Sequence, residues 1–157
     1  MRKKALLPIL AVLCILSLAV MAAVLRRSGA EAVFTPPPFE PLARMGTPAA
    51  QEGTGYQELD AGIFRAGLCG KICIRDGMAE VRFANPADNS VWLRLRILDE
   101  EGNILGQTGL LRAGEYVDGV PAGDIPAGTP VTLKVMAYEP DTYHSAGAVT
   151  LYTHIAE

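Results

Sequence analysis

The chain has 157 residues, a formal net charge of −3 and a mean hydropathy of +0.22, with the apolar excess concentrated in the first 25 residues. From Glu58 onward, 8 Lys/Arg stand against 14 Asp/Glu, a net charge of −6. That balance excludes a broad nucleic-acid interface, which needs clustered cations, and any general attraction to anionic headgroups.

The chain opens with Met1-Arg2-Lys3-Lys4. An uncharged run of 21 residues follows, Ala5 to Leu25, closed by Arg26-Arg27. As a helix this run spans about 31 Å, near the hydrocarbon thickness of a bilayer. Pro8 falls in the first turn, where a missing N–H costs little. The pattern predicts an N-terminal transmembrane anchor over residues 1–27. A cleavable signal peptide is the competing reading, with Val20 and Ala22 at the critical positions of a small-residue site. The length of the run and the Arg26-Arg27 stop favour the anchor. A lipoprotein is disfavoured, because Cys14 lies mid-run behind the bulky Leu13. The positive-inside rule sets Arg2, Lys3, Lys4 and the amino terminus against Arg26 and Arg27. It predicts a cell-membrane protein, single-pass, with its C-terminal domain extracytoplasmic.

Residues 28–57 read as a linker. Five of the 11 prolines fall between Pro36 and Pro48, including Pro36-Pro37-Pro38. Such a segment is extended and semi-rigid, partly polyproline II, and could lift a domain up to roughly 90 Å from a bilayer. A proline-rich ligand for an SH3-type module is the alternative, and an extracytoplasmic location disfavours it.

Residues 58–157, about 100 residues, suffice for one domain with its own core. From Leu59 onward the apolar period is two. Val91, Leu93, Leu95 and Ile97 point one way; Trp92, Arg94, Arg96 and Leu98 point the other. Val131–Tyr138 and Val149–Ile155 alternate likewise. Weaker strands are expected over Gly62–Ala66, Lys71–Arg75, Ala79–Ala84, Ile104–Leu110 and Glu115–Val120. Turn chemistry separates them, at Arg75-Asp76-Gly77, Asn85-Pro86-Ala87-Asp88-Asn89, Asp99-Glu100-Glu101-Gly102-Asn103, Arg112-Ala113-Gly114-Glu115 and Pro126-Ala127-Gly128. No ten-residue segment of the domain carries a 3.6-residue apolar stripe. The expected fold is all-β, an immunoglobulin-like antiparallel β-sandwich of seven or eight short strands, with a closed barrel as the second choice.

The succession Phe83-Ala84-Asn85-Pro86-Ala87-Asp88-Asn89, Asp99 to Leu105, and Gly109-Leu110-Leu111-Arg112-Ala113-Gly114-Glu115 resembles small, mostly uncharacterised envelope proteins of Gram-positive bacteria. In these, one N-terminal anchor precedes a β-sandwich with an Asn-Pro-x-x-Asn turn and a Pro-Gly turn before a mid-domain strand. The resemblance covers roughly Gly62 to Tyr138, and Ala113 stands where proline is usual. It implies a location and a fold, and carries no catalytic residues.

Cys69 and Cys73 read as unpaired thiols. If the segment between them is extended they lie about 13 Å apart, so a disulfide would need a turn at Gly70-Lys71. A zinc site would have only His144 and His154 to complete it, without motif spacing. There is no Gly-x-Ser-x-Gly elbow, phosphate-binding glycine loop or His-Glu-x-x-His helix. His144 and Ser145 are adjacent, so on a strand they face opposite ways and make no nucleophile–base pair. The expectation is a protein that is not an enzyme, with no cofactor and no metal. Asp88-Asn89 and the Asp99–Asn103 turn offer oxygen ligands but match no EF-hand loop, so a solvated acidic turn is the simpler reading.

Candidate binding residues are Trp92, on the face opposite the core residues of its strand, and Tyr138, Glu139, Asp141, Tyr143 and His144. The last five lie in an aromatic, polar loop between the final two strands, a place where rigid scaffolds carry recognition. The structural alternatives are an aromatic plug or tyrosine corner at the loop, and a covered Trp92 flanked by the stems of Arg94 and Arg96. The predicted role is a structural or protein-binding envelope module, possible accessory to a secretion, conjugation or surface-assembly system. Its partners are the membrane, through the N-terminal helix, and an envelope protein; nucleic acid is not a partner. The alternatives are a carbohydrate- or cell-wall-binding module and a secreted domain released after signal cleavage.

Overall fold

The computed structural model describes Cys14, Leu16, Ser17, Met21, residues 34–49 and residues 53–157. The chain divides into two units, Met1–Thr35 and Pro36–Glu157. In the first, the four described positions of the apolar run are helical, and the Ser17 hydroxyl donates to the Cys14 carbonyl at 2.9 Å. The remainder of the anchor expected over 1–27 lies outside the described residues. Among the described residues, no helix is long and apolar enough to cross a membrane.

The second unit is all-β, in two antiparallel sheets. Its strands are β1 (Arg44–Met45), β2 (Tyr56–Asp60), β3 (Arg65–Cys69), β4 (Ile74–Arg75), β5 (Met78–Ala84), β6 (Trp92–Leu98), β7 (Ile104–Gln107), β8 (Glu115–Pro121), β9 (Pro130–Tyr138) and β10 (Ser145–His154). The larger sheet runs β1-β8-β5-β3-β2 with β4 on β5; the smaller runs β10-β9-β6-β7. The chain changes sheet between β5 and β6, returns between β7 and β8, and crosses again between β8 and β9. Both sheets keep open edges, so the fold is two layers and not a closed barrel.

The period-two reading holds where it was cleanest. Leu93, Leu95 and Ile97 on β6 and Leu133, Val135 and Ala137 on β9 are fully buried, and they face Leu68, Val81 and Phe83 of the other sheet in one core. Burying each of these leucine, isoleucine, valine and phenylalanine side chains contributes about 1.5–3 kcal/mol. Three weaker strands differ from expectation. The β3 strand begins at Arg65, because Asp60 Oδ1 accepts from Gly62 N at 2.7 Å and closes a turn over residues 61–64. Only Ile74–Arg75 of the stretch 71–75 pairs as a strand. The β7 strand stops at Gln107 because the buried Thr108 turns its hydroxyl to Leu95 N at 2.9 Å, replacing a backbone acceptor.

The β unit begins at Pro36, whereas the linker was expected to run to residue 57. Its described residues are tied to the sandwich at three places. Glu40 N donates to Leu110 O and Leu110 N to Pro38 O, both at 2.9 Å; β1 pairs with β8; and β2 pairs with β3. A two-residue strand and a polar one leave no periodic mark in the sequence, so by sequence alone this stretch reads as linker.

The Asn85–Asn89 turn is a buried polar hub. Asn85 is 1% exposed. Its Nδ2 donates to Val91 O at 2.9 Å and Leu111 O at 3.0 Å, and its Oδ1 accepts from Asn89 Nδ2 at 2.6 Å. Asn89 also exchanges bonds with the Arg65 backbone. The Asn85 backbone joins Glu115 O and Gly114 N. One side chain thus links the β5–β6 turn to the turn that starts β8. In that second turn, Glu115 N donates to Arg112 O at 3.1 Å and Gly114 has φ +82°, the geometry of a type II turn with Ala113 at the position that suits proline. Ala113→Pro is expected to stabilise the domain by about 0.4–1 kcal/mol by restricting the unfolded chain. A fall in the urea midpoint would overturn this expectation.

Candidate functional site

The outward side chains of β6 and β9 share one face of the smaller sheet, because strand alternation sends every second residue there. The register pairs Trp92 with Tyr138, Arg94 with Met136, Arg96 with Lys134 and Leu98 with Thr132. All eight are half-buried. At the upper end, Trp92 is flanked by two rings. Phe39 meets it edge-to-face at a centroid distance of 4.8 Å, and Tyr143 does so at 5.2 Å. The Arg112 guanidinium lies 3.6 Å over the Phe39 ring. Edge-to-face pairs are worth about 0.5–1.5 kcal/mol beyond their area, and an exposed cation–π contact about 0.5–1. Phe39 is delivered by the docked proline segment, where Gly109 N donates to Glu40 Oε2 at 2.7 Å.

The loop between β9 and β10 is closed on itself. Glu139 N donates to His144 O at 2.8 Å, and Tyr143 N to Glu139 O at 3.0 Å. Thr142 Oγ1 donates to Glu139 Oε2 at 3.2 Å. Asp141 and Tyr143 both adopt left-handed backbone, at φ +66° and +58°. For a residue other than glycine this costs roughly 1–2 kcal/mol, and the Tyr143 ring offsets it against Trp92.

The structure therefore brings Trp92, Tyr138 and Tyr143 together. His144 Nδ1 and Glu139 Oε2 stand 4.0 Å apart, both exposed, across the neck of the loop. Asp141 is exposed at the loop tip. Phe39 and Arg112 complete the cluster and were not picked out from the sequence. The available signal was a single aromatic ring set among prolines, Pro38-Phe39-Glu40-Pro41. For Trp92 the sequence offers a binding residue or, as the structural alternative, a ring covered by arginine stems; the rings that meet it are Phe39 and Tyr143.

Below the rings the face is basic. Arg94 donates from Nε to Thr108 O at 3.0 Å. Burial, with Arg96 beside it, lowers the Arg94 guanidinium from its ordinary value. Arg96 lies opposite Lys134, a like-charge pairing that a sheet ordinarily disfavours. Among the described residues, no carboxylate lies within 4.0 Å of Arg94, Arg96 or Lys134.

A second concavity, of about 410 Å³, opens on the larger sheet between Met45, Tyr56, Gly67 and the Asn85–Ala87 turn. Tyr56 lies across Gly67, where an added Cβ would overlap its hydroxyl. Burial pushes the Tyr56 hydroxyl up. The one carboxylate there, Glu58, is bonded by Arg65 at 2.9 Å.

The acidic turns serve the fold. Asp88 pairs with Arg65. Asp99 accepts from Asn103 Nδ2 at 2.8 Å, Asn103 N at 2.7 Å and Glu101 N at 3.0 Å. Among the described residues, no cluster of three metal-ligating side chains occurs. The Asn103 amide, helped by these backbone donors, holds the Asp99 carboxyl below its usual range. A depressed carboxylate contributes stability above the unfolded value of about 3.9 and loses it as pH falls through the folded midpoint. Carbon-detected NMR titration should find the Asp99 midpoint below that value, and Asn103→Ala should raise it; an unmoved midpoint would remove Asn103 as the cause. Cys69 and Cys73 are both unbridged, Cys69 buried and Cys73 half-buried. Burial pushes the Cys69 thiol up.

No protein-family model matches the chain, and no curated protein matches it.

Proposed function

We propose that this protein is a single-pass membrane module that presents an immunoglobulin-like β-sandwich outside the cytoplasm and serves a structural or protein-binding role without catalysis. The charged flanks and apolar run of residues 1–27 support the anchor. The order of sheet changes, with β6, β7, β9 and β10 in one layer, supports the immunoglobulin-like assignment.

The observation that carries the reading is the clasp at Phe39. A free tether needs no seat at the domain, yet here the proline-rich segment ends in one, built from Trp92, Tyr143 and Arg112. The seat holds the proline-rich segment to the domain at Phe39. The aromatic and basic face beside the seat suits an acidic protein segment. A wall-glycan platform is less well supported, because two rings already flank Trp92.

The test is fractionation of cells expressing the full chain, with protease added to intact cells. The reading expects the protein in the membrane fraction, an unprocessed N-terminus, and loss of the β domain to external protease. A mature chain starting near Ala23 would sink the anchor and favour a secreted domain. Retention of the full chain on peptidoglycan, lost in Trp92→Ala, would favour the wall-binding alternative.

A further inference from the structure

We infer that the outer edge of β10 is a self-pairing surface, through which two copies of this chain join their smaller sheets antiparallel. This does not depend on the membrane reading and would hold equally for an anchored or a released chain.

The phase of the ladder shows which backbone groups face outward. Ile155 N donates to Thr129 O at 2.9 Å, and Ile155 O accepts from Gly128 N at 2.8 Å. The register then runs without a shift from His154–Pro130 back to Ala148–Met136. Residues bonded to a given neighbour alternate along an antiparallel strand. Val149, Leu151 and Thr153 therefore turn their N–H and C=O groups toward β9. Ala148, Thr150 and Tyr152 direct theirs away from the sheet, and among the described residues these backbone groups have no partner.

An edge like this is usually blunted by shortness, charge or proline. The other edge strands of the fold are: β1 and β4 have 2 residues each, β7 has 4, and β2 carries Glu58 and Asp60. The β10 strand has no proline, lysine, arginine or carboxylate, and between the bulge at Ser145–Gly147 and the C-terminal end, where Ala156 N donates to Ile72 O at 2.8 Å, its outer edge over Ala148–Tyr152 is open. Tyr152 on it is 79% exposed.

The occupant follows from the side chains. A two-fold axis at Thr150 sets each Ala148 opposite the other copy's Tyr152, small against large. On the inner face it sets Val149 opposite Leu151, both only partly covered in one copy. The outward backbone groups of all three edge residues then meet their counterparts in bonded pairs, and no like charges face each other across the seam.

The test compares full-length wild type and variants by sedimentation in one detergent at fixed protein-to-micelle ratio. Wild type is expected to dimerise at micromolar concentration. Thr150→Pro removes an outward donor that β9 does not use, and Thr150→Glu places two carboxylates at the axis while facing its own Lys134. Each is expected to raise the dimer dissociation constant about tenfold or more, with unchanged melting. Thr150→Cys should cross-link to its own copy under mild oxidation, since bonded pairs lie about 5.5 Å apart. Ala148→Cys, more than about 13 Å from its own copy, should not cross-link above the wild-type background. A wild type monomeric at tens of micromolar would overturn the inference and leave this edge to a strand of another protein. So would a dimer that both Thr150 variants leave intact.

Discussion

Asn85→Ala is expected to cost about 2–4 kcal/mol, a large share of the roughly 5–15 kcal/mol that holds a domain folded. Val91 O loses its hydrogen-bond partner, Leu111 O keeps only Leu93 N, and Asn89 Nδ2 keeps only Arg65 O. Each buried group left short costs about 1–3 kcal/mol when its desolvation is not recovered. Asn85→Asp keeps the shape and is expected to be worse at neutral pH, because a carboxylate would face two carbonyl oxygens. Burial there raises the folded-state pKa of the new aspartate above its unfolded value of about 3.9. The deficit should therefore be smallest below about pH 4 and grow as pH rises. Urea unfolding across pH 3–8 measures both variants. An alanine variant within about 0.5 kcal/mol of wild type would show that the hub is ornamental.

Gly109→Ala is expected to release the proline segment from its seat while leaving the two-sheet core folded. A Cβ at Gly109 would lie 2.5 Å from Glu40 N and 2.7 Å from both Glu40 Cα and Phe39 C. Those are backbone atoms, so no side chain can move aside. Undocking forfeits the Phe39–Trp92 edge contact, the Arg112–Phe39 contact and the backbone bonds to Leu110, together about 2–4 kcal/mol. Trp92 is the only tryptophan, so its emission reports the event directly. A red shift and new proteolytic cleavage between Pro36 and Met45 are expected, with far-ultraviolet dichroism preserved. Phe39→Ala should give the same red shift with a smaller loss of stability, since the backbone bonds survive. An unchanged emission maximum in Gly109→Ala would mean that the segment does not depend on this close approach.

Much of the fold was open to reading because β6, β9 and β10 each alternate over seven or more residues. In such strands local geometry and burial demand the same pattern, so Leu93, Leu95 and Ile97 could be assigned to the core from spacing alone. Asn85-Pro86 was readable as a turn. That its first residue is a buried hub was not, because its partners Val91 and Leu111 are set by how β6 meets the chain after β7. The clasp was still less accessible: Glu40 and Gly109 are 69 positions apart, and neither carries a local signature of the other. Among the candidate binding residues, the sequence singled out Trp92 and Tyr143 separately. Only the left-handed backbone at Tyr143 and the Trp92–Tyr138 register bring them to one place.

The sequence by itself therefore determined the class of the fold, the faces of its long strands and the positions of its turns. These follow from the period of the pleat and from which residues tolerate turn dihedrals, both local quantities. The tertiary structure decided where the β unit begins, which rings cover Trp92 and which edge stays open. Those outcomes depend on contacts between distant segments and on the phase of a hydrogen-bond ladder, neither of which any short window of residues contains.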